Sequence, residues 1–172
     1  MYKLVVSDAS TLILLQKITL LDKAVNNFNF IIPQEVYNEA VIKGKEIKSK
    51  DSYLIENKIN DVLIKIKKIN DEIKVKNIIN EFGLALGETE AIVLYLQEKA
   101  DILATDDHKA INLCKIYKIP FMTALTLVIA AFDMELISKN EAKDMVKNLD
   151  IYGRYKDELV YKALSCIGGK ND

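Results

Sequence analysis

Two apolar runs of this chain end in acid. "YKLVVSDAS" closes on Asp8, and "ILATDDHKA" closes on the adjacent pair Asp106 and Asp107. Three glutamates stand where they could join them: Glu39 in "IPQEVYNEA", and Glu88 and Glu90 in "GETEAIVLYL". Carboxylates gathered in one crevice repel. At ~4 Å and an effective dielectric of ~20, each close pair costs about 4 kcal/mol. That is large beside a typical total stability of ~5–15 kcal/mol. Protons or a cation must offset it, and all-oxygen ligands suit Mg²⁺ or Mn²⁺ rather than zinc. A bound Mg²⁺ keeps several waters, one of which can be deprotonated to attack a phosphodiester.

Each acid also has an ordinary structural use. Asp8 or Ser10 can cap a helix, and Asp106 can cap another. Glu88 and Glu90 favour the positive end of a helix, and Glu39 alone reads as a solvated helix charge. His108, the one histidine, reads as a surface residue. The chemical reading rests on the acids taken together.

The elements that must position them follow from the pattern. Residues 3–7 read as a buried strand, followed by helices over "TLILLQKI" and "LLDKAVNNF". Phe30–Ile32 is a second strand stopped by Pro33, and "PQEVYNEAVIK" is a helix with Val36, Ala40 and Lys43 down one side, ended by Gly44. The lysine-rich stretch 45–60 reads as one helix. "DVLIKIKKI" alternates as a strand with one wet face, and "DEIKVKNIINEF" is a helix stopping at Gly83. Gly87 precedes a strong helix, strand 102–105 follows, then helix 107–118 and a short strand 120–123. From about residue 124 the chain reads helical, with breaks near Ser138 and Gly153 and a frayed "GGKND" tail. Strands alternating with helices argue for an α/β fold with a mainly parallel sheet covered on both faces. In such sheets ligands sit beyond the carboxyl ends of the strands, where Asp8 and the Asp106–Asp107 pair fall.

Length and composition bound the rest. The 172 residues, half of them hydrophobic, suit one domain spanning 1–172 with a substantial core. The net charge is −1, and Arg154 is the sole arginine. No global basic field advertises nucleic acid, although a local patch would suffice. Cys114 and Cys166 lie far apart, without a partner at metal-ligand spacing, which argues against zinc. With no leader pattern and no apolar run near ~18 residues, the expectation is a soluble cytoplasmic protein with no membrane span.

The segments "VSDASTLILL", "IPQEVYNEA", "GETEAIVLYL" and "ILATDDHKA", in that order, resemble the PIN-domain nucleases. The nearer likeness is to a small prokaryotic subfamily with a Gly-Glu-x-Glu-Ala helix. "LDIYGRYKDELVYKAL" resembles its C-terminal pattern, so the likeness covers nearly the whole chain. It implies a three-layer α/β/α sandwich and a metal-dependent ribonuclease. It further implies the toxin of a toxin–antitoxin pair, with a homodimer and a small antitoxin-like protein as partners. Carried over, the family acids fall on Asp8, Glu39, Glu90 and Asp107, with Ser10 two residues after the first. Glu90 stands where Asp is commoner, Glu88 competes with it, and Asp106 is an extra acid.

On this basis Asp8, Glu39 and Asp107 are the leading metal ligands and catalytic residues. Glu90 comes next, and Asp106 and Glu88 remain open. Ser10 and Thr105 are expected to orient carboxylates or metal waters. Glu88 and Glu90 lie about 200° apart around a helix, so only one should face the crevice. The alignment favours Glu90, with Glu88 in the first turn. For RNA, Lys43, Lys45 and Lys48 form a cluster after Glu39. Aromatics are not interleaved there apart from Tyr53, so stacking is not evident. Apolar positions such as Leu125, Leu127, Val128, Ile129 and Phe132 suggest more helix than one sheet face needs, hence partners. The rival readings are a receiver-like signalling domain, a phosphatase (Ser10 occupies the second position of its Asp-x-Asp motif), and a non-catalytic PIN-like module binding RNA or protein.

Overall fold

The computed structural model describes residues 3–169; residues 170–172 of the expected tail lie outside the described residues. Five strands, β1 (Leu4–Ser7), β2 (Asn29–Pro33), β3 (Ile64–Lys67), β4 (Ile102–Ala104) and β5 (Phe121–Met122), form one sheet in the order β3-β2-β1-β4-β5. Every pairing is parallel. The chain leaves β1 towards β2 and β3, and later returns to the other side of β1 as β4. The order therefore reverses between β1 and β4, and that switch point opens a crevice beyond their carboxyl ends. Asp8 and the Asp106–Asp107 pair follow those two strands.

Alternation along the strands splits the core into two layers. Val5, Phe30, Ile32 and Ala104 point into one, with α1 (Ala9–Lys17), α2 (Leu20–Val25), α5 (Lys50–Asn60), α9 (Ala124–Asp133), α10 (Lys139–Gly153) and α11 (Asp157–Gly168). Val6, Ile31 and Leu103 point into the other, covered by α6 (Glu72–Phe82), α7 (Leu86–Glu98) and α8 (His108–Tyr117). The result is the α/β/α sandwich. Among the described residues no helix is long and apolar enough to cross a membrane.

Three local expectations change. Helix α3 (Gln34–Tyr37) does not stop at Gly44. It widens into a π-helical segment, Asn38–Lys43, and continues as α4 (Gly44–Glu46). The wider turns leave Lys43 in solvent, while Val36, Ala40 and Val41 stay buried. Gly44 is a packing glycine: a Cβ there would lie 2.7 Å from Ser52 Cβ of α5. The stop falls at Lys48, with φ 56°, so the stretch 45–60 is two helices rather than one. β3 does not keep a clean dry face, because Ile64 is buried but Ile66 is 37 % exposed at the sheet edge. Finally, Leu125, Leu127 and Val128 are core, and Ile129 and Phe132 pack on it. Core packing therefore accounts for Leu125, Leu127 and Val128, while Ile129 and Phe132 stay partly exposed.

The C-terminal helices share their buried layer with β1 and β2, so they should melt with the sheet. Leu149, fully buried in α10, tests this. Leu149→Ala should lower stability by about 2–5 kcal/mol while circular dichroism still shows one transition. Two separated transitions would mean that the helices are an appended unit.

Candidate active site

The crevice is built on Asp8. It caps α1 in extended conformation, its Oδ1 accepting from the Thr11 amide at 2.8 Å and from the Ser10 hydroxyl at 3.0 Å. Thr105, just past β4, donates its hydroxyl to Asp8 Oδ2 at 2.6 Å. The same Thr105 hydroxyl accepts from the Asp107 amide at 3.3 Å. Ser10 and Thr105 thus orient Asp8, and the cap is Asp8 rather than Ser10. Asp8 is only 2 % exposed. Burial pushes its carboxyl up to about 6, against the hydrogen bonds, with the Asp106 charge adding to the rise.

Asp106 and Asp107 do different work although adjacent. Asp106 accepts from the Thr11 hydroxyl at 2.8 Å, from the Ala124 amide at 3.0 Å on Oδ2 and 3.3 Å on Oδ1, and from the Tyr155 hydroxyl. Two carboxylate oxygens offer about four lone-pair sites, and three donors serve them here, the Ala124 amide shared between both oxygens. Asp106 therefore joins α1, the start of α9 and the α10–α11 turn, and it also lines the crevice. Burial raises its pKa, opposed by these donors. Asp107 caps α8, with Oδ1 accepting from the Ala110 amide at 2.8 Å, and it lines the crevice.

The two glutamates of α7 line different cavities, and Glu88 stands in the first turn as expected. The helix begins at Leu86, so Gly87 lies inside its first turn. Glu88 folds back to accept from the Ala85 amide at 2.7 Å, and it lines the same crevice as Ser10, Asp106 and Asp107. Glu90 accepts from the Glu35 amide at 3.1 Å, at the otherwise uncapped start of α3. It lines a separate cavity with Ile66, Lys68 and Lys76. Burial raises both carboxyls; Asp107 adds to the rise at Glu88, and Glu35 at Glu90.

Glu39 comes from the π-helical segment, a distortion frequent at functional sites. Its carboxylate lies over Gly87, where a Cβ would come within 2.8 Å of Oε2. Any larger residue would displace it. Burial raises its pKa, Lys43 opposes, and Glu35, Glu88 and Glu90 reinforce the rise. Lys43 Nζ stands 3.3 Å from Glu35 and 3.9 Å from Glu39, at the crevice mouth. The other two expected RNA-binding lysines are placed differently. Lys45 pairs with Glu56 and lies 5.3 Å from the Tyr53 ring centroid, and Lys48 is exposed in the turn after α4.

Thr11 and Tyr155 were not among the sequence candidates. Thr11 follows Ser10 directly, and its amide and hydroxyl serve Asp8 and Asp106 in turn. Tyr155 lies in the "IYGRYKDEL" stretch, but nothing local to it marks a partner 49 residues away. Among the described residues, no three Asp, Glu, His or Cys side chains converge closely enough as they stand to hold an ion. The donor chemistry nevertheless suits a hard cation. Among the described residues, Asp107 and Glu88 each keep one oxygen without a protein donor, Asp8 keeps one lone pair on Oδ2, and Glu39 has Lys43 at 3.9 Å.

A five-stranded parallel sheet between helical layers, with acids beyond the carboxyl ends of its central strands, is the architecture of this chain. The sequence profile of the PIN-domain family matches residues 4–168. The chain belongs to that family, whose members are generally nucleases. No curated protein matches the sequence. Among solved structures, PAE2754 from Pyrobaculum aerophilum shares the fold at a TM-score of 0.53 and 18 % identity, covering 74 % of this chain and 95 % of that one.

Two consequences concern stability. The folded state holds the Asp8 proton more tightly than the unfolded chain, whose carboxyl titrates near 3.8. Protonated Asp8 thus contributes stability that is fully present below about pH 4 and lost as pH rises through about 6. Ionised Asp8 costs about 3 kcal/mol at pH 7. In urea denaturation with EDTA, Asp8→Asn should gain stability relative to wild type between pH 4.5 and 7.5. An unchanged difference would show that the buried carboxyl carries no such cost. Tyr155→Phe removes one of the donors on Asp106 and should lower stability by about 1–3 kcal/mol; equal denaturation midpoints would show that the bond contributes nothing.

Proposed function

We propose that the protein is a divalent-metal-dependent endoribonuclease, the toxin of a toxin–antitoxin pair, working as a homodimer and held in check by a small antitoxin-like protein. The observation that carries the nuclease reading is the shared crevice of Glu88, Asp107 and Ser10 above buried Asp8. Burial raises Asp8 and Glu88, and the nearby acids raise them further. Clustered acids with raised pKa values are what a cation site looks like before the charge is offset. Asp107, Glu88 and Asp8 would hold Mg²⁺ or Mn²⁺, with Glu39 at the rim and Glu90 further out. When bound, such an ion lowers the pKa of a coordinated water and neutralises charge on a phosphodiester oxygen.

The chain's own residues supply the rest. Ser10 and Thr105 fix the Asp8 carboxylate, whose remaining Oδ2 lone pair faces a water or a proton. Thr105 also receives the Asp107 amide, so the two acids keep one spacing. Lys43 at the mouth can take a phosphate in exchange for Glu35. The ribonuclease rather than deoxyribonuclease preference rests on the family likeness.

The test is cleavage of single-stranded RNA and DNA by purified protein with Mn²⁺ and with EDTA. Cleavage of RNA should require the metal and exceed that of DNA. Asp107→Asn and Glu88→Gln should each lower kcat at least about 100-fold, and Glu90→Gln less than about tenfold. Activity that survives EDTA would sink the mechanism. An inactive Glu90→Gln beside an active Glu88→Gln would reverse the assignment. No cleavage at all would favour a non-catalytic RNA- or protein-binding module.

A further inference from the structure

Beyond the acids, the crevice has a second, chemically different end. Its ≈ 410 Å³ lies within the range of ligand sites, about 300–1,000 Å³. Besides Glu88, Asp106 and Asp107 it is lined by Ile13, Leu14, Lys17 and Tyr152. Tyr152 is the penultimate residue of α10, and its side chain is left 50 % exposed although it stands in a cleft. Lys17, the last residue of α1, holds its ammonium 5.4 Å from the centre of that ring and 2.8 Å from Asp51. An aromatic ring and a cation, lining one crevice with apolar side chains and carboxylates, match the parts of a nucleotide. The ring suits a base, the ammonium a phosphate, and the acid end the scissile phosphodiester. The larger cavity beside Glu90 is lined by lysines and aliphatic side chains and holds no aromatic ring.

We propose that Tyr152 is the base-stacking platform of this site, and that with Lys17 it selects single-stranded RNA by holding an unpaired base next to the acids. This rests on the nuclease reading for the identity of the ligand, but not for its own test. A base stacks on a ring only when it is free of its own helix, so a duplex cannot use the platform. Stacking tolerates any base, which makes the platform selective for strandedness rather than sequence. Tyr152 lies in the last turn of α10, and the α10–α11 turn that follows is fastened to the acids by Tyr155 on Asp106. The platform and the acids are therefore held at a fixed separation.

The chain contains no tryptophan, so Tyr152→Trp places a single indole at the platform. In EDTA, where metal-dependent cleavage cannot occur, a ten-nucleotide single-stranded RNA should quench that indole saturably. The duplex of the same sequence should not. By anisotropy of labelled RNA, Tyr152→Leu should raise Kd roughly 5- to 150-fold. Tyr152→Phe, which keeps the ring, should stay within about twofold of wild type. Thermal melts confirm that each variant is folded, and a half-exposed position tolerates all three changes. An unquenched indole while RNA binds, or a Leu variant that binds like wild type, overturns the platform even if metal-dependent cleavage is found. Quenching without any cleavage sustains the platform and overturns the nuclease reading. If wild type binds no RNA, the platform is overturned as well.

Discussion

Everything at the open end of the sheet depends on keeping a carboxylate at the floor of a protein crevice. Asp8 sits 2 % exposed after the central strand, where an unpaired charge would be very costly. Three donors make it tolerable: the first turn of α1 gives an amide and a hydroxyl, and Thr105 after β4 gives another hydroxyl. The Thr105 bond also ties the end of β4 to the end of β1, beside the backbone pairing of the two strands. Even so the carboxyl is raised to about 6. The fold thus carries an unfavourable charge at the one place where a bound cation would relieve it.

The second acidic position solves a different problem. Asp106 is a joint: one oxygen pair serves α1, α9 and the α10–α11 turn. Through it the C-terminal helices, which are otherwise packed on one face of the sheet, are referenced to the crevice. Asp107 is left as the neighbour with an open oxygen. Two adjacent aspartates of the same type thus differ by which donors reach them: three groups on Asp106, and the Ala110 amide on Asp107.

The glutamates show the same division along one helix. Because α7 starts at Leu86, Glu88 is its third residue and can cap the Ala85 amide while still lining the crevice. Glu90, half a turn on, finds the bare amide of Glu35 instead. Glu39 reaches the group only because the helix that carries it widens into π turns and because Gly87 leaves room for its carboxylate. The acids therefore come from four segments, each delivered by a different local device.

The sequence by itself determined the strands, their order of appearance with helices, the parallel sheet and the placement of Asp8, Asp106 and Asp107 at strand ends. Those features are local: hydrophobic runs of strand length and helical periods are set by near neighbours. The stop at Gly83 and the breaks near Ser138 and Gly153 were legible for the same reason. The tertiary structure alone decided which of Glu88 and Glu90 faces the crevice, since that turns on a helix start one residue before Gly87. It alone recruited Tyr155 to Asp106 and Tyr152 to the crevice wall, and it alone sent Lys45 to Glu56 while leaving Lys43 at the mouth. It also turned Gly44 from an expected stop into a contact with Ser52. Such choices depend on groups up to 97 residues apart, as Thr105 is from Asp8. A pattern read along the chain reports what a segment prefers, whereas a hydrogen bond across the fold reports which side chains packing has brought within 3 Å.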